Sequence, residues 1–411
     1  MSSSLRSPTA ALIGTFLCTL LSPVVIAFYS FTVFFDALAK ELQWGHGSLG
    51  LAITVGTLTI AVAAPIIGRI ADRNGTRTII IFGNIGLVIV VAAMSVLCQT
   101  LGGLYVAMAM IGILASCYLV AVPRIVSSWF DKRRGLALGF VMSGAGLGAA
   151  LMAPLTEAII ESAGWQSAYL TLAAIVLIVS LPSTLLLVHE APRTATFESQ
   201  ASAQREKPRI TLQLVLLWFA FLLIGAGLHG VLIFFSPMLV NRGVGASTAA
   251  AYFSVASMAM FLGRLGCGYL LDRLPANRVG AVLMLGAASG ILILNHAPSG
   301  PMLAVGALLF GIGVSAELDL LSYIVSRLYP IEYFSRFFGL AYSGFMIGTS
   351  SAPPLLGAFY DHFGDYEIGT FIAAALTCVS AFVLLAMRRT PTSLQLAPTV
   401  KGDQVAAGLT N

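Results

Sequence analysis

The chain has 411 residues, of which 58% are hydrophobic and only 9% are charged, against roughly 25% charged residues in soluble domains. A soluble protein of this length would need about three domains, and no stretch of the chain is polar enough to form their surfaces. The net charge of +5 does not indicate nucleic-acid binding, because the basic residues concentrate in the connections between apolar segments.

Twelve apolar segments follow one another along the chain, each close to the roughly 20 residues that cross a bilayer as a helix. They lie near 10–35, 47–67, 78–98, 104–127, 135–157, 166–188, 212–236, 246–271, 278–295, 300–328, 334–360 and 366–387. Only one connection is long and charged, and it separates six spans from six. The sequence therefore predicts an all-α membrane protein with a first unit at 1–188, a linker at 189–211, a second unit at 212–388 and a flexible tail at 389–411.

The two units match each other at a constant shift of 200 residues. The aligned pairs include Gly68 with Gly268, Asp72 with Asp272, Arg73 with Arg273, Gly144 with Gly344, and Pro154 with Pro354. A constant shift indicates two copies of one structural unit. Because an even number of spans precedes the linker, both copies have the same orientation, which predicts two parallel six-helix repeats.

The basic residues indicate the orientation of the spans. If both termini are cytoplasmic, only Lys40 and Arg242 of the 22 basic residues lie in loops on the other side, while Arg124 and Arg264 lie within spans. This bias follows the positive-inside rule. We predict a multi-pass protein with both termini in the cytoplasm, in a bacterial inner membrane.

A glycine, aspartate and arginine signature lies between the second and third spans. It reads Gly68-x-x-x-Asp72-Arg73-x-Gly75-x-Arg77, and a shorter copy, Gly268-x-x-x-Asp272-Arg273, follows the eighth span. This loop resembles the cytoplasmic loop signature of the major facilitator superfamily. The stretch 129–139, with Ser143-Gly144 after it, is similar to the monocarboxylate and oxalate–formate branch. The resemblance covers nearly the whole chain and implies transport of small carboxylates.

The signature residues are candidates for a cytoplasmic gate. Glycine lets helices approach closely, and we expect Asp72 to form exchangeable ion pairs with Arg73 and Arg77. The candidate gate residues are Gly68, Asp72, Arg73, Arg77, Arg124, Gly268, Asp272 and Arg273. The alternative is an ordinary basic loop with turn glycines, and for Arg124 the alternative is substrate binding.

Arg264 is the leading candidate for substrate binding. It lies two helical turns before Asp272 and aligns with Ala64 in the other repeat, so it is specific to one unit. A guanidinium group within a membrane cavity suits bidentate binding of a carboxylate. The family branch carries a substrate-binding arginine four residues before a glycine in helix 8, and Arg264 with Gly268 matches that pattern. The alternative is a structural ion pair with another helix.

The tenth span carries two acidic residues. Asp319 belongs to a polar stripe that we expect to face an aqueous cavity, together with Ser315, Ser322, Tyr323, Ser326 and Arg327. Glu317 lies about 200° around the helix from Asp319, so we expect it to be desolvated. Either acid is a candidate for carrying a coupling proton, and the alternative is packing against polar groups of other helices.

His229, Tyr29 and Tyr323 complete the candidate substrate contacts; for His229 and Tyr29, ordinary helix packing is the alternative. The five cysteines show no metal-ligand spacing, and no nucleotide-binding or hydrolase motif is present, so we expect no metal, no cofactor and no enzyme activity. The sequence predicts a monomeric transporter that lies in the lipid bilayer and moves a small organic anion. Its transport is expected to be coupled to a proton or to a counter-anion. The alternatives are an efflux pump for amphipathic molecules and a membrane sensor that does not transport.

Overall fold

A computed structural model describes residues 7–44, 46–191, 210–297 and 300–387, and all regular structure within these ranges is helical. Residues 192–209 of the predicted linker and the whole of the predicted tail at 389–411 lie outside the described residues. Ten helical runs among the described residues are long and apolar enough to cross a membrane, and the longest of them, Arg134–Leu187, contains two crossings.

The first unit contains six crossings. Helix α1 consists of the segments Pro8–Leu20, Val24–Tyr29 and Phe31–Leu42. Helix α2 is His46–Asn74, α3 is Thr76–Leu97 and α4 is Leu101–Trp129. The run from Arg134 is interrupted at Gly164, where φ is 81°, so that α5 covers 134–163 and α6 covers 165–187. This break lies between the fifth and sixth predicted spans.

The second unit also contains six crossings. Helix α7 consists of Leu212–Ile233 and Phe235–Asn241, α8 is Ala246–Arg273 and α9 is Ala276–His296. Helix α10 is Pro301–Leu328, α11 is Phe334–Phe363 and α12 is Glu367–Ala386. Eleven of the twelve helices lie within the ten runs that are long and apolar enough to cross a membrane; α11, with 30 residues, is not among those runs. Counted with α11, the twelve helices among the described residues match the twelve predicted spans. Which side of the membrane each end faces stays a prediction.

Two helices are broken where the sequence predicts continuous spans. The first segment of α1 ends at Leu20 and the first segment of α7 ends at Ile233. Pro23 and Pro237 lie just beyond these ends, and a proline ring clashes with the carbonyl group four residues before it. The middle segment of α1, Val24–Tyr29, is a π-helix, a form that occurs often at functional sites.

The two units meet most closely at one end of the bundle, which we call the gate end. Here α2 and α8 end, while α5 and α11 begin. The opposite end is called the outer end. Two seams join the units, one between α2 and α11 and the other between α5 and α8.

Candidate functional site

At the gate end of the α2–α11 seam, the carboxylate of Asp72 caps the first turn of α11. The backbone N–H of Ser335 donates to Asp72 Oδ1 at 3.1 Å, and the N–H of Arg336 donates to Oδ2 at 2.9 Å. The first N–H groups of a helix have no partners within the helix and carry a partial positive charge. A carboxylate from the opposite unit therefore stabilises this seam when the gate end is closed.

The α5–α8 seam contains the repeat-related contact. Asp272 at the end of α8 accepts hydrogen bonds from the N–H groups of Gly135 at 2.9 Å and Leu136 at 3.1 Å, in the first turn of α5. The 200-residue shift that relates Asp72 to Asp272 also relates residues 135 and 136 to 335 and 336. Each unit thus caps a helix of the other, and the structure holds the gate end closed.

The signature glycines allow these carboxylates to reach the opposite helix. A Cβ atom on Gly68 would lie 2.3 Å from the carbonyl oxygen of Ser335, and one on Gly268 would lie 2.4 Å from that of Gly135. Such contacts with backbone atoms are too short for any side chain. Glycine at 68 and 268 is therefore required for the closed gate in this structure.

Ion pairs distinguish the two seams. Arg124 lies in α4 with 4% of its surface exposed, and its Nη1 donates to Asp72 Oδ1 at 2.8 Å. In the other seam Arg327 pairs with Asp131 at 3.0 Å, but the Asp131 side chain is 64% exposed. A buried charge loses far more than an exposed one when its partner is removed. The α2–α11 seam thus contains the stronger electrostatic contact.

The expected pairing of Asp72 with Arg73 and Arg77 is wrong for this conformation. Arg73 is exposed and lies on a different side of α2, because successive residues of a helix point about 100° apart. Arg77 donates to the carbonyl oxygen of Leu185 at 2.9 Å, within its own unit. Arg273 stacks on the ring of Tyr269 at 4.0 Å.

Arg264 lies deeper in the α5–α8 seam than the gate contacts. Its Nη1 donates to the carbonyl oxygen of Met142 at 3.4 Å, a long hydrogen bond, and no carboxylate lies within 4 Å of it among the described residues. Glu317 and Asp319 are both electrostatic neighbours of this guanidinium group. Arg264 therefore has hydrogen-bonding capacity for another anion.

Glu317 faces α7 from α10. Its Oε2 lies 3.7 Å from Nδ1 of His229, and neither atom has a hydrogen-bond partner among the described residues. The Glu317 side chain is 6% exposed and the His229 side chain is 21% exposed. The structure thus brings two predicted site residues together as a pair that is partly open to solvent on the histidine side.

Asp319 faces away from that pair. It has no exposed surface, and neither carboxylate oxygen has a hydrogen-bond partner among the described residues. Its Oδ2 lies 3.9 Å from the position that a Cβ atom would take on Gly139 of α5. The expectation that Asp319 faces an open aqueous cavity is wrong here, because closure of the α5–α8 seam covers it.

The two candidate tyrosines differ in position. Tyr29, in the π-helical segment of α1, is 45% exposed and has Arg264 and Glu317 of the other unit as electrostatic neighbours, so it lies where the two units face each other. Tyr323 is fully buried, and the guanidinium group of Arg327 lies 5.1 Å from its ring. Tyr323 lies one turn beyond Asp319 on α10, and its assignment to the substrate site stays a prediction.

Two aromatic residues of α11 were missed by sequence reasoning. The ring of Phe345 contacts that of His229 edge-on, with centroids 5.3 Å apart, and Tyr342 lies 5.5 Å from Phe345. Tyr342 also has Tyr29 and Glu317 as electrostatic neighbours. The spacing of Phe338, Tyr342 and Phe345, which places them on one side of α11, was the available signal; Phe338 stacks on Tyr342, and Tyr342 is tilted against Phe345.

Asp72→Asn is expected to open the gate end. The substitution removes the charge that caps α11 and leaves Arg124 buried without its partner. Loss of hydrogen bonds to a charged group costs about 1.5–3 kcal/mol, so the population of open molecules should rise roughly 10- to 150-fold. Spin labels at the exposed positions Arg133 and Arg278, one in each unit, would report a longer distance.

Asp361→Asn, at the exposed outer end of α11, is the matched control because it removes the same charge far from the gate. Distances between the spin labels that stay unchanged in Asp72→Asn would remove Asp72 from the gate.

Comparisons with known proteins agree with this architecture. The family model of the Major Facilitator Superfamily matches residues 15–316 and 279–409. Human monocarboxylate transporter 11 is 26% identical over 396 residues, covering 90% of this chain and 79% of the relative. The agnestins efflux protein AgnL12 of Paecilomyces divaricatus is 23% identical over 400 residues, covering 93% of this chain and 88% of the relative. These relatives are eukaryotic and give no support to a bacterial membrane.

Solved structures share the fold. The proton:xylose symporter XylE superposes with a TM-score of 0.74 at 12% identity, covering 95% of this chain and 98% of that structure. The human organic anion transporter MFSD10 superposes with a TM-score of 0.69 at 15% identity, covering 93% and 100%. Because the family model spans nearly all of the sequence and the twelve helices pack as in these transporters, the chain belongs to the major facilitator superfamily and is a membrane transporter, not an enzyme.

Proposed function

We propose that this protein is a secondary active transporter of a small organic anion, a monocarboxylate or dicarboxylate, driven by proton symport or anion exchange. The observation that carries the proposal is Arg264, a guanidinium group deep between the units that has no ion-pair partner within 4 Å among the described residues. Tyr29, an electrostatic neighbour of Arg264, and His229, which lies 3.7 Å from Glu317, offer a hydroxyl group and an imidazole for orientation. Alternating access then requires that the gate contacts of Asp72 and Asp272 break when the outer end closes.

The charges of the site favour a monocarboxylate. In the part of the chain that the structure describes, Arg264 is the one permanent cation beside the two acids Glu317 and Asp319. Unpaired charges are costly in a desolvated site, so one guanidinium group stabilises either one carboxylate of the protein or one carboxylate of the substrate. Binding of a monocarboxylate then requires both acids to be protonated, which links anion binding to proton binding. Similarity to a monocarboxylate transporter supports the same substrate class.

If one of these acids carries the proton, its neutralisation separates two activities. Glu317→Gln or Asp319→Asn is expected to abolish uptake driven by a pH gradient, because the variant cannot release a proton. Exchange of labelled for unlabelled substrate should continue, since exchange needs no net proton movement. Uptake and exchange of radiolabelled pyruvate in proteoliposomes would measure both activities.

Glu157→Gln, which changes an exposed acid of α5, is the control for expression and insertion. The proton-carrier role would be excluded if both single variants and the double variant kept pH-driven uptake. Simultaneous loss of uptake and exchange would instead indicate a role in substrate binding.

An efflux pump for amphipathic molecules is the second candidate, and the similarity to AgnL12 favours it. The exposed Tyr29 and the aromatic rings of Tyr342 and Phe345 offer an apolar surface for such molecules. Counterflow in proteoliposomes distinguishes the two candidates. Loading with unlabelled pyruvate should accelerate entry of labelled pyruvate, whereas succinate should do so less and the lipophilic cation ethidium not at all. Counterflow with ethidium alone would replace the anion proposal with efflux.

A further inference from the structure

The two acids of α10 have different routes to solvent. Successive residues of a helix are about 100° apart, so Glu317 and Asp319 point to nearly opposite sides of α10. On one side, the Glu317 carboxyl group meets His229 of α7 and has Tyr29, Tyr342 and Arg264 as electrostatic neighbours. Tyr29 is 45% exposed, and because the gate end is closed we expect water to reach this side of α10 from the outer end.

The other side of α10 is sealed in the closed gate. Asp319 faces α8, where Arg264 and Cys267 are its electrostatic neighbours, and α5, which contributes Gly139. Helix α9 covers a third side of α10 through Gly280 and Ala287, which carry no titratable group. Asp319 itself has no exposed surface.

The contact between α5 and α8 at the gate end is what covers Asp319. A Cβ atom on Gly139 would lie 2.8 Å from the carbonyl oxygen of Arg264, and one turn away Gly135 meets Gly268 at the same seam. Asp272 holds this seam together through Gly135 and Leu136. When α5 separates from α8, Asp319 is therefore the acid that meets water from the gate end.

We propose that the two acids divide the path of the coupling proton: Glu317 with His229 exchanges protons with the outer side, and Asp319 exchanges protons with the gate side. This inference rests on the proposed proton-coupled transport. Before uptake Asp319 is protonated, and Glu317 is the carboxylate that Arg264 neutralises. A proton from outer water then joins Glu317, so that both acids are neutral and Arg264 can bind the substrate anion. After the substrate leaves, Asp319 releases its proton to water at the gate end and then receives the proton of Glu317, which becomes a carboxylate again. Arg264 neutralises whichever group is ionised.

The first test measures access alone and needs no substrate. In a background in which the five native cysteines are replaced by serine or alanine, Glu317→Cys and Asp319→Cys are made separately. A membrane-impermeant methanethiosulfonate is added to one side of oriented vesicles at a time. We expect Glu317→Cys to react only from the outer side and Asp319→Cys only from the gate side.

Weakening of the α5–α8 seam provides the matched comparison. Asp272→Asn should accelerate labelling of Asp319→Cys from the gate side by about 5- to 150-fold, a usual range for coupling between two conformations, and should slow labelling of Glu317→Cys. Asp361→Asn, at the outer end of α11, should change neither rate. Reaction of Asp319→Cys from the outer side, or of both cysteines from one side, would overturn the proposal even if the protein transports a carboxylate.

A second measurement covers the case in which a cysteine variant does not fold. Equilibrium exchange of radiolabelled pyruvate is followed while the pH is changed on one side only. Asp319→Asn should remove the dependence on gate-side pH and keep the dependence on outer-side pH, and Glu317→Gln should do the reverse. Equal loss on both sides in each variant would contradict divided access. Absence of pyruvate exchange in the unmodified protein, with the labelling pattern intact, would count against the substrate class and not against this inference.

Discussion

Replacement of Arg264 with Ala is expected to weaken carboxylate binding by roughly 30- to 1,000-fold, the equivalent of about 2–4 kcal/mol for an ion contact in a partly desolvated site. Within the described part of the chain, the guanidinium group has only the Met142 carbonyl oxygen at 3.4 Å as a hydrogen-bond acceptor, so most of its hydrogen-bonding capacity is available to an anion. Arg264→Lys should bind with intermediate affinity, because it keeps the charge but loses the planar fork.

The measurement is pyruvate binding to detergent-solubilised protein, with thermal unfolding recorded on the same samples. Arg278→Ala, which removes an exposed arginine at the start of α9, is the matched control and should bind normally. If Arg264→Ala binds pyruvate with unchanged affinity, or loses the folded state, then Arg264 is structural and the anion proposal loses its main support.

Gly268→Val should prevent closure of the gate end. The first atom of the new side chain would lie 2.4 Å from the carbonyl oxygen of Gly135 and 2.8 Å from its carbonyl carbon, and neither backbone atom can move without parting α5 from α8. Overpacking of this kind costs about 1–3 kcal/mol or more. We expect a shift of roughly 5- to 150-fold towards molecules open at the gate end, and a nearly complete loss of net transport.

Gly266→Val, two residues away on the same helix, is the matched control, because no described atom beyond the adjoining stretch of α8 lies within 4 Å of a Cβ atom placed there. The spin-label distance between positions 133 and 278 and the transport rate should change in Gly268→Val only. Equal effects of the two substitutions would indicate a general disturbance of α8 and would exclude a specific role of Gly268 in the seam.

The 200-residue repeat shift allowed most of the fold and part of the gate to be predicted from the sequence. It identified Asp72 and Asp272 as equivalent residues, and the same shift applied to 135 and 335 would have indicated their reciprocal contacts. The shift could not indicate that each carboxylate binds backbone N–H groups of the opposite unit. Almost every residue has a backbone N–H group, so residue types do not identify the donors. The predicted ion pair of Asp72 with Arg73 was wrong because the side chains of neighbouring residues in a helix point in different directions.

The central site was less accessible to sequence reasoning. Arg264, Glu317 and Asp319 were found because charges are rare within membrane spans. The burial of Asp319 was missed, since it depends on how closely α5 approaches α8 in this conformation. His229 and Glu317 lie on separate helices with no sequence relation between them, so their pairing required coordinates. Tyr342 and Phe345 were missed because aromatic residues on an apolar helix are usually packing residues.

The reciprocal caps resemble the contact between two identical subunits. In a two-fold dimer, residue i of one subunit contacts j of the other, and j contacts i in return; Asp72 with 335 and Asp272 with 135 follow that rule within a single chain. Arg124 makes the two capping contacts unequal, because its counterpart in the second unit is Ile324. The seam that contains Arg124 should therefore act as a hinge, and the molecule should open first along the opposite seam, beside Asp319.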